Sequence, residues 1–196
     1  MTEEADGPAI ARRLIAEEAA AQTGFLDLGR LGLTELPEEL FALKHLRRLN
    51  LGAFYRQEDG DFAQAESRGP PNEIQSELGR LVELPVLRSL DCGGTQVRDL
   101  GPLSGLTALQ SLDCWGTRVN DLGPLSGLTA LQSLDCWGTQ VSDLGPLSGL
   151  TALQSLACGG TQVRDLGPLS GLTALQSLDC WGTQVSDLGP LSGLTA

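Results

Sequence analysis

From residue 87 onward the apolar positions return every 22 residues. One unit, LQSLDCWGTQVSDLGPLSGLTA at 131–152, reduces to the frame LxxLxCxxTxVxxLxPLxxLxx. Cys92, Cys114, Cys136, Cys158 and Cys180 mark the period, and they are all the cysteines of the chain. Within each unit the Leu-Asp-Cys alternation (Leu-Ala-Cys at 156–158) predicts a short strand, because successive strand side chains point to opposite faces. Leu112 and Cys114 then point inward, and Ser111, Asp113 and Trp115 point outward. A 22-residue coil cannot build a core alone, so neighbours must share one and pair their strands. The expected result is a parallel sheet with ~4.8 Å between strands.

The first 86 residues are less regular. Residues 8–22, PAIARRLIAEEAAAQ, predict a helix, with Asp6 as its cap and Pro8 in its first turn. Ile10 and Leu14 form one stripe beside Ala11, Ile15 and Ala19, but Glu18 interrupts it. Such a helix suits the cap that closes the open end of a stacked core. Leu26 and Leu28 mark a first strand, and Leu49 and Leu51 a second, which with the five cysteine-bearing coils predicts seven strands. Leu49 and Leu90 hold equivalent positions yet lie 41 residues apart, so about 19 residues are inserted between coils. Composition assigns the insert to residues 53–72, AFYRQEDGDFAQAESRGPPN, read as a long acidic surface loop. Its EDGD stretch lacks the spacing of a calcium loop. The frame resumes through Ile74, Leu78, Leu81, Leu84 and Leu87. Three regions follow: a helical cap at 1–23, irregular coils at 24–86, and five 22-residue repeats at 87–196, the last without a C-terminal cap.

This frame resembles the leucine-rich repeat, LxxLxLxxN/CxL, with cysteine at a leucine position and threonine where asparagine is usual. The Pro-Leu pair after DLG resembles the bacterial internalin-like subclass. LTELPEELFALKHLRRLNL resembles the repeat segment of bacterial Roco-type proteins, which precedes a GTPase module. The resemblance implies an α/β solenoid: a right-handed coil with a parallel β-sheet on its concave face and short turns or 3-10 helices on its convex face.

Composition narrows the function. The formal net charge is −12 and Lys44 is the sole lysine, which argues against nucleic acid and anionic membrane as partners. No apolar run reaches ~18 residues, and the N-terminus lacks a secretory pattern, so the expected compartment is the cytoplasm. No P-loop precedes Lys44, so a GTPase part would lie outside this chain. His45 is the only histidine and is read as an exposed surface residue, which leaves no HExxH site and no catalytic role. Each cysteine is alone in its coil, unlike zinc ligands two to four residues apart, so the thiols are read as small buried hydrophobes. Neither an enzymatic activity nor a cofactor or metal is expected.

The outward positions carry the candidate chemistry. They form a serine row, an aspartate row (Asp91, Asp113, Asp135, Ala157, Asp179) and a third row (Gly93, Trp115, Trp137, Gly159, Trp181). Stacked aspartates repel, and outward tryptophans expose apolar area typical of binding hot spots. Two readings stay open. In one, Asp91, Asp113, Trp115, Asp135, Trp137, Asp179 and Trp181 form a groove for a basic or Arg-bearing protein segment. A notch over Ala157 and Gly159, between Trp137 and Trp181, would then take an arginine, unless tilted indoles fill it themselves. In the other, Trp115 stacks on Trp137 and the aspartates are merely hydrated. A further row, Asp99, Asp121, Asp143, Asp165 and Asp187, is expected to accept backbone N–H bonds at turns. The expected function is protein recognition by a sensor or scaffold part of a larger bacterial signalling protein. The alternative is an oligomerisation element whose open C-terminal edge pairs with another copy or joins a missing domain.

Overall fold

The computed structural model describes residues 6–57, 61–74 and 76–194. Most of the EDGD stretch therefore lies outside the described residues. Helix α1, Gly7–Ala21, is followed by strands β1 (Phe25–Asp27) and β2 (Arg48–Asn50). A separate pair, β3 (Phe54–Arg56) and β4 (Phe62–Gln64), comes next. Strands β5 (Ser89–Asp91), β6 (Ser111–Asp113), β7 (Ser133–Asp135), β8 (Ser155–Ala157) and β9 (Ser177–Asp179) complete the order. Seven of them form one parallel sheet, β1-β2-β5-β6-β7-β8-β9. Between successive strands of this sheet the chain returns through a 3-10 helix, as at Gly101–Leu103 and Gly123–Leu125. The molecule is a leucine-lined solenoid.

Register explains the cysteines. Leu26, Leu49, Leu90 and Leu112 are aligned across the sheet, so Leu28 and Leu51 occupy the place that Cys92 and Cys114 take later. Cys92, Cys114, Cys136 and Cys158 are buried in the continuous core, while Cys180 in the last coil is partly exposed. Burial pushes the Cys158 thiol up to about 12 and Cys114 well above its ordinary range. These thiols are neutral and unpaired. Among the described residues no group of three or more His, Cys, Asp or Glu side chains is placed to hold a metal.

The turns that follow each strand use the remaining polar letters of the repeat. Thr117 Oγ1 donates to the Cys114 carbonyl at 2.6 Å, and the same bond recurs from Thr95, Thr139, Thr161 and Thr183. Gly116 follows the strand at φ 61°, a left-handed conformation that favours glycine. Asp121 Oδ1 accepts the Gly123 N–H at 2.7 Å, opening the 3-10 helix. Asp99, Asp143, Asp165 and Asp187 repeat this bond at the same distance. That row is a set of turn builders.

Helix α1 occupies the N-terminal end of the core with Ala11 and Ile15. Asp6 stands at the N-cap, but its side chain makes no capping bond. The residue that breaks the apolar stripe turns out to fasten the helix. Glu18 is buried and accepts from Thr23 N and Oγ1, Gly24 N (2.7 Å) and His45 Nε2 (2.8 Å). His45 is therefore half-buried and bonded, not the free surface residue that the frame suggests. Burial pushes the Glu18 carboxyl up, but the bonds from Thr23, Gly24 and His45 outweigh it and hold the group below its usual range. Glu18→Ala is expected to cost about 1–3 kcal/mol, since the Gly24 N–H loses a buried partner. Denaturant midpoints should show this loss above pH 5, and it should shrink as acid protonates Glu18 in the wild type.

The insert is the main departure from expectation. Residues 53–72 are not a featureless loop. They hold the antiparallel hairpin β3–β4, which lies against the sheet. Tyr55 packs on Phe25 with ring centroids 4.8 Å apart, and Phe54 packs on Trp115 at 5.8 Å. Ala65 N–H donates to the Ala53 carbonyl at 3.0 Å, and both alanines are buried. The chain returns through Asn72, which is fully buried. Its side chain accepts from Leu33 N and donates to the carbonyls of Leu28 and Leu51, each at 2.8 Å. One amide thus ties the insert to the first two coils.

Candidate functional site

The aspartate row has two roles that sequence reasoning did not separate. The first is local. Asp113 Oδ1 accepts the Trp115 N–H at 3.1 Å, Asp135 accepts that of Trp137 at 2.9 Å, and Asp179 that of Trp181 at 2.9 Å. At the head of the row Asp27 does the same for Gly29, and Asn50 for Gly52. Each of these side chains closes the turn that ends its strand, whereas Asp91 accepts the backbone N–H of Arg56, so the row has a structural use that charge repulsion alone seemed to deny it.

The second role depends on cover. Asp91 and Asp113 were expected to face water, but each is only 4% exposed. The hairpin supplies the cover: Phe54 lies on Trp115, and Arg56 interacts electrostatically with Asp91, Asp113 and Asp135. Burial pushes the Asp91 carboxyl up to about 7. Burial, reinforced by the Asp135 charge, pushes Asp113 up to about 8. Burial also raises Asp135, at the hairpin's margin.

The indoles lie outside the core, as the register requires, but they do not stack on one another. Trp115 leans over Gly93: a methyl group added there would lie 2.2 Å from the indole Nε1. Trp137 leans the other way, over Gly159, where an added methyl would lie 2.7 Å from Cδ1. The glycines at 93 and 159 are landing places for the neighbouring rings. The notch expected over Ala157 and Gly159 is thus filled by Trp137 itself. Trp181 stands apart at 76% exposure.

Because the two indoles splay, a cavity of about 240 Å³ opens between them. Trp115 and Trp137 line it from the sheet, Phe54 and Phe62 from the hairpin, and Asp135 adds a carboxylate. Phe62 is 51% exposed and Trp137 40%, so the mouth is open to water. Of the expected site residues, the structure gathers Trp115, Asp135 and Trp137 here. It sets Asp91 and Asp113 beneath the hairpin and leaves Asp179 and Trp181 at the last coil. Phe54 and Phe62 were missed because they belong to the insert. The Asp59-Gly60 pair between Tyr55 and Phe62 is the hairpin signal that could have found them.

Beside this acidic corner lies a second, larger hollow of about 530 Å³. Arg47, Arg48, Arg56 and Arg88 line it, with Ser89, Ser111, Ser133 and Ser155 and with Gln110, Gln132 and Gln154. Arg48 lies over the Phe25 ring at 4.8 Å. The face of the sheet is therefore two-signed rather than uniformly acidic.

The family profile for leucine-rich repeats, in its two-copy form, matches residues 85–127, 107–149, 129–171 and 151–193. These matches span more than half of the chain. The chain belongs to the leucine-rich repeat family. Solved leucine-rich repeat structures agree with this assignment. The crystal structure of internalin C2 from Listeria monocytogenes is similar with a TM-score of 0.69 and 25% identity, covering 98% of this chain and 89% of that one. A second internalin of that bacterium, inlF, gives a TM-score of 0.70 and 24% identity over 96% of this chain and 59% of that one. A leucine-rich repeat protein of Leptospira interrogans gives 0.64 and 17% over 83% and 45%. No curated protein matches the chain significantly. The repeats are thus similar to those of bacterial internalins. Leucine-rich repeat proteins typically mediate protein–protein interaction as non-enzymatic modules. Among the described residues no helix is long and apolar enough to cross a membrane.

Proposed function

We propose that this leucine-rich repeat chain is a non-catalytic recognition module that grips a protein segment along its sheet, centred on the hairpin and strands β5–β8. The observation that carries this reading is the open cavity lined by four aromatic side chains and Asp135. Aromatic rings left half in water beside a carboxylate are a poor arrangement for stability and a good one for a partner. The preferred segment is of mixed charge. Its cationic side chains meet Asp135, and its acidic ones meet the shelf of Arg47 and Arg88. A scaffold or sensor role in a larger bacterial signalling protein is the setting that fits such a module. Five unpaired thiols suit a reducing cytoplasm. The test is partner capture: Trp137→Ala should weaken a captured partner at least tenfold, about 1.4 kcal/mol. An unchanged affinity would remove the cavity from the binding surface.

A second reading rests on the last described coil. Leu188 is 61% exposed, and Leu178, Leu191 and Leu194 are only partly buried. In this reading the coil stacks on another copy or on a further domain, such as a GTPase module. Sedimentation across a range of concentrations decides the first case: self-association should appear in the wild type and vanish in Leu178→Asp.

A further inference from the structure

The chemistry of the cavity between Trp115 and Trp137 is more specific than a general aromatic patch. We propose that it is a cage for an alkylammonium group, the side chain of a lysine in a partner protein, held most tightly in its methylated form. The proposal deepens the recognition reading above and rests on it.

Four observations carry it. The walls are aromatic on both sides: indoles from the sheet and phenyl rings from the hairpin. A cation over such ring faces is attracted by their quadrupoles. One ring of the set already behaves in this way, since the Arg56 guanidinium lies over Phe62 at 4.9 Å. Next, the walls are not parallel. Phe54 and Trp115 are inclined by 56°. A flat guanidinium is served by a parallel slot, whereas a rounded ammonium is served by walls that converge from several directions. The single carboxylate at the cavity points the same way. Asp135 Oδ1 already accepts the Trp137 N–H at 2.9 Å, so a guanidinium fork would have to share that oxygen with the backbone. Finally, charge favours a cation over a neutral apolar occupant. Asp135 itself lines the cavity, and the chain as a whole carries −12. Methyl groups on the nitrogen lower its hydration and add contact area without removing the charge, so methylation strengthens the fit.

The experiment follows the three indole N–H resonances of the ¹⁵N-labelled chain while capped Nε-trimethyl-lysine is added. Capped lysine, capped arginine and the uncharged isostere with a tert-butyl end are titrated in parallel. The expected result is saturable movement of the Trp115 and Trp137 signals, with the Trp181 signal still. The isostere and arginine should bind about tenfold more weakly. Asp135→Asn, which keeps the turn acceptor, should weaken trimethyl-lysine several-fold. Phe62→Ala removes an exposed ring without opening the core and should do the same. Trp181 is the most exposed indole, so equal movement there would mean unspecific stacking and would overturn the cage. No movement at all, equal binding of the isostere, or tighter binding of arginine would each overturn it too. If partner capture still depends on Trp137 while any of these holds, the recognition reading survives and the cage alone is lost.

Discussion

Replacing Asn72 with alanine is expected to destabilise the protein by about 3 kcal/mol or more. The amide serves three backbone groups at once, the Leu33 N–H and the carbonyls of Leu28 and Leu51, in a place with no access to water. A buried polar group left without a partner costs about 1–3 kcal/mol, and here three are stranded together. Asn72→Asp is expected to fare no better. Its carboxylate can still accept from Leu33, but it faces two carbonyl oxygens with no proton to give. Both variants should also loosen the hairpin, because Asn72 stands at its return. Denaturant midpoints measure the stability. Hydrogen exchange at the Ala65 amide, which bonds to Ala53, reports on the hairpin. Preserved stability in Asn72→Ala would mean that the insert is held by its aromatic contacts alone.

The second large effect concerns pH. The Asp113 carboxyl moves from an ordinary value of 3.8 to about 8 in the folded chain, so the folded state holds a proton that the unfolded state has released. Stability is then fully present below about pH 4 and is lost as pH rises through about 8. Asp113→Asn should remove that loss. The amide oxygen keeps the bond to the Trp115 N–H, and the amide nitrogen can donate to a neighbouring carboxylate. Asn50 already provides the pattern: its Nδ2 donates to Asp27 Oδ1 at 2.7 Å one strand away. At pH 9 the variant should be more stable than the wild type by about 1–3 kcal/mol. This is less than the whole displacement allows at about 1.4 kcal/mol per pH unit, because Asp91, Asp135 and Arg56 share in the titration. At about pH 3, below both the ordinary and the folded value, the two proteins should unfold at nearly the same denaturant concentration. An equal gap at both values would mean that Asp113 is ionised throughout.

The parts of the fold that could be read from the chain are those governed by period. Alternation around Leu112, Asp113 and Cys114 determines which side chains enter the core, and the 22-residue spacing aligns them across the sheet. The Asp121 row was legible for the same reason, since its bond closes over two residues. What could not be read was cover. Asp91 and Asp113 look identical to Asp179 in the repeat, and they differ because a hairpin from residues 53–72 folds over two of them. The three-residue strands Phe54–Arg56 and Phe62–Gln64 are too short for alternation to declare itself. Glu18 was misleading in the opposite way. A charge on an apolar stripe reads as a fault in the helix until Thr23, Gly24 and His45 are seen to converge on it. The direction in which an indole leans is a packing outcome, though Gly93 and Gly159 held the hint.

The opposed lean of Trp115 and Trp137 has a consequence for how such a chain can lengthen. Gly93 and Gly159, 66 residues apart, bracket the pair as berths for the two rings. Insertion of one extra tryptophan-bearing turn between the pair would wedge a third ring into the gap and close it. Growth that adds a single module therefore extends the spring while spoiling its mouth. Growth in triplets duplicates the whole berth-ring-ring cassette and leaves the original mouth intact.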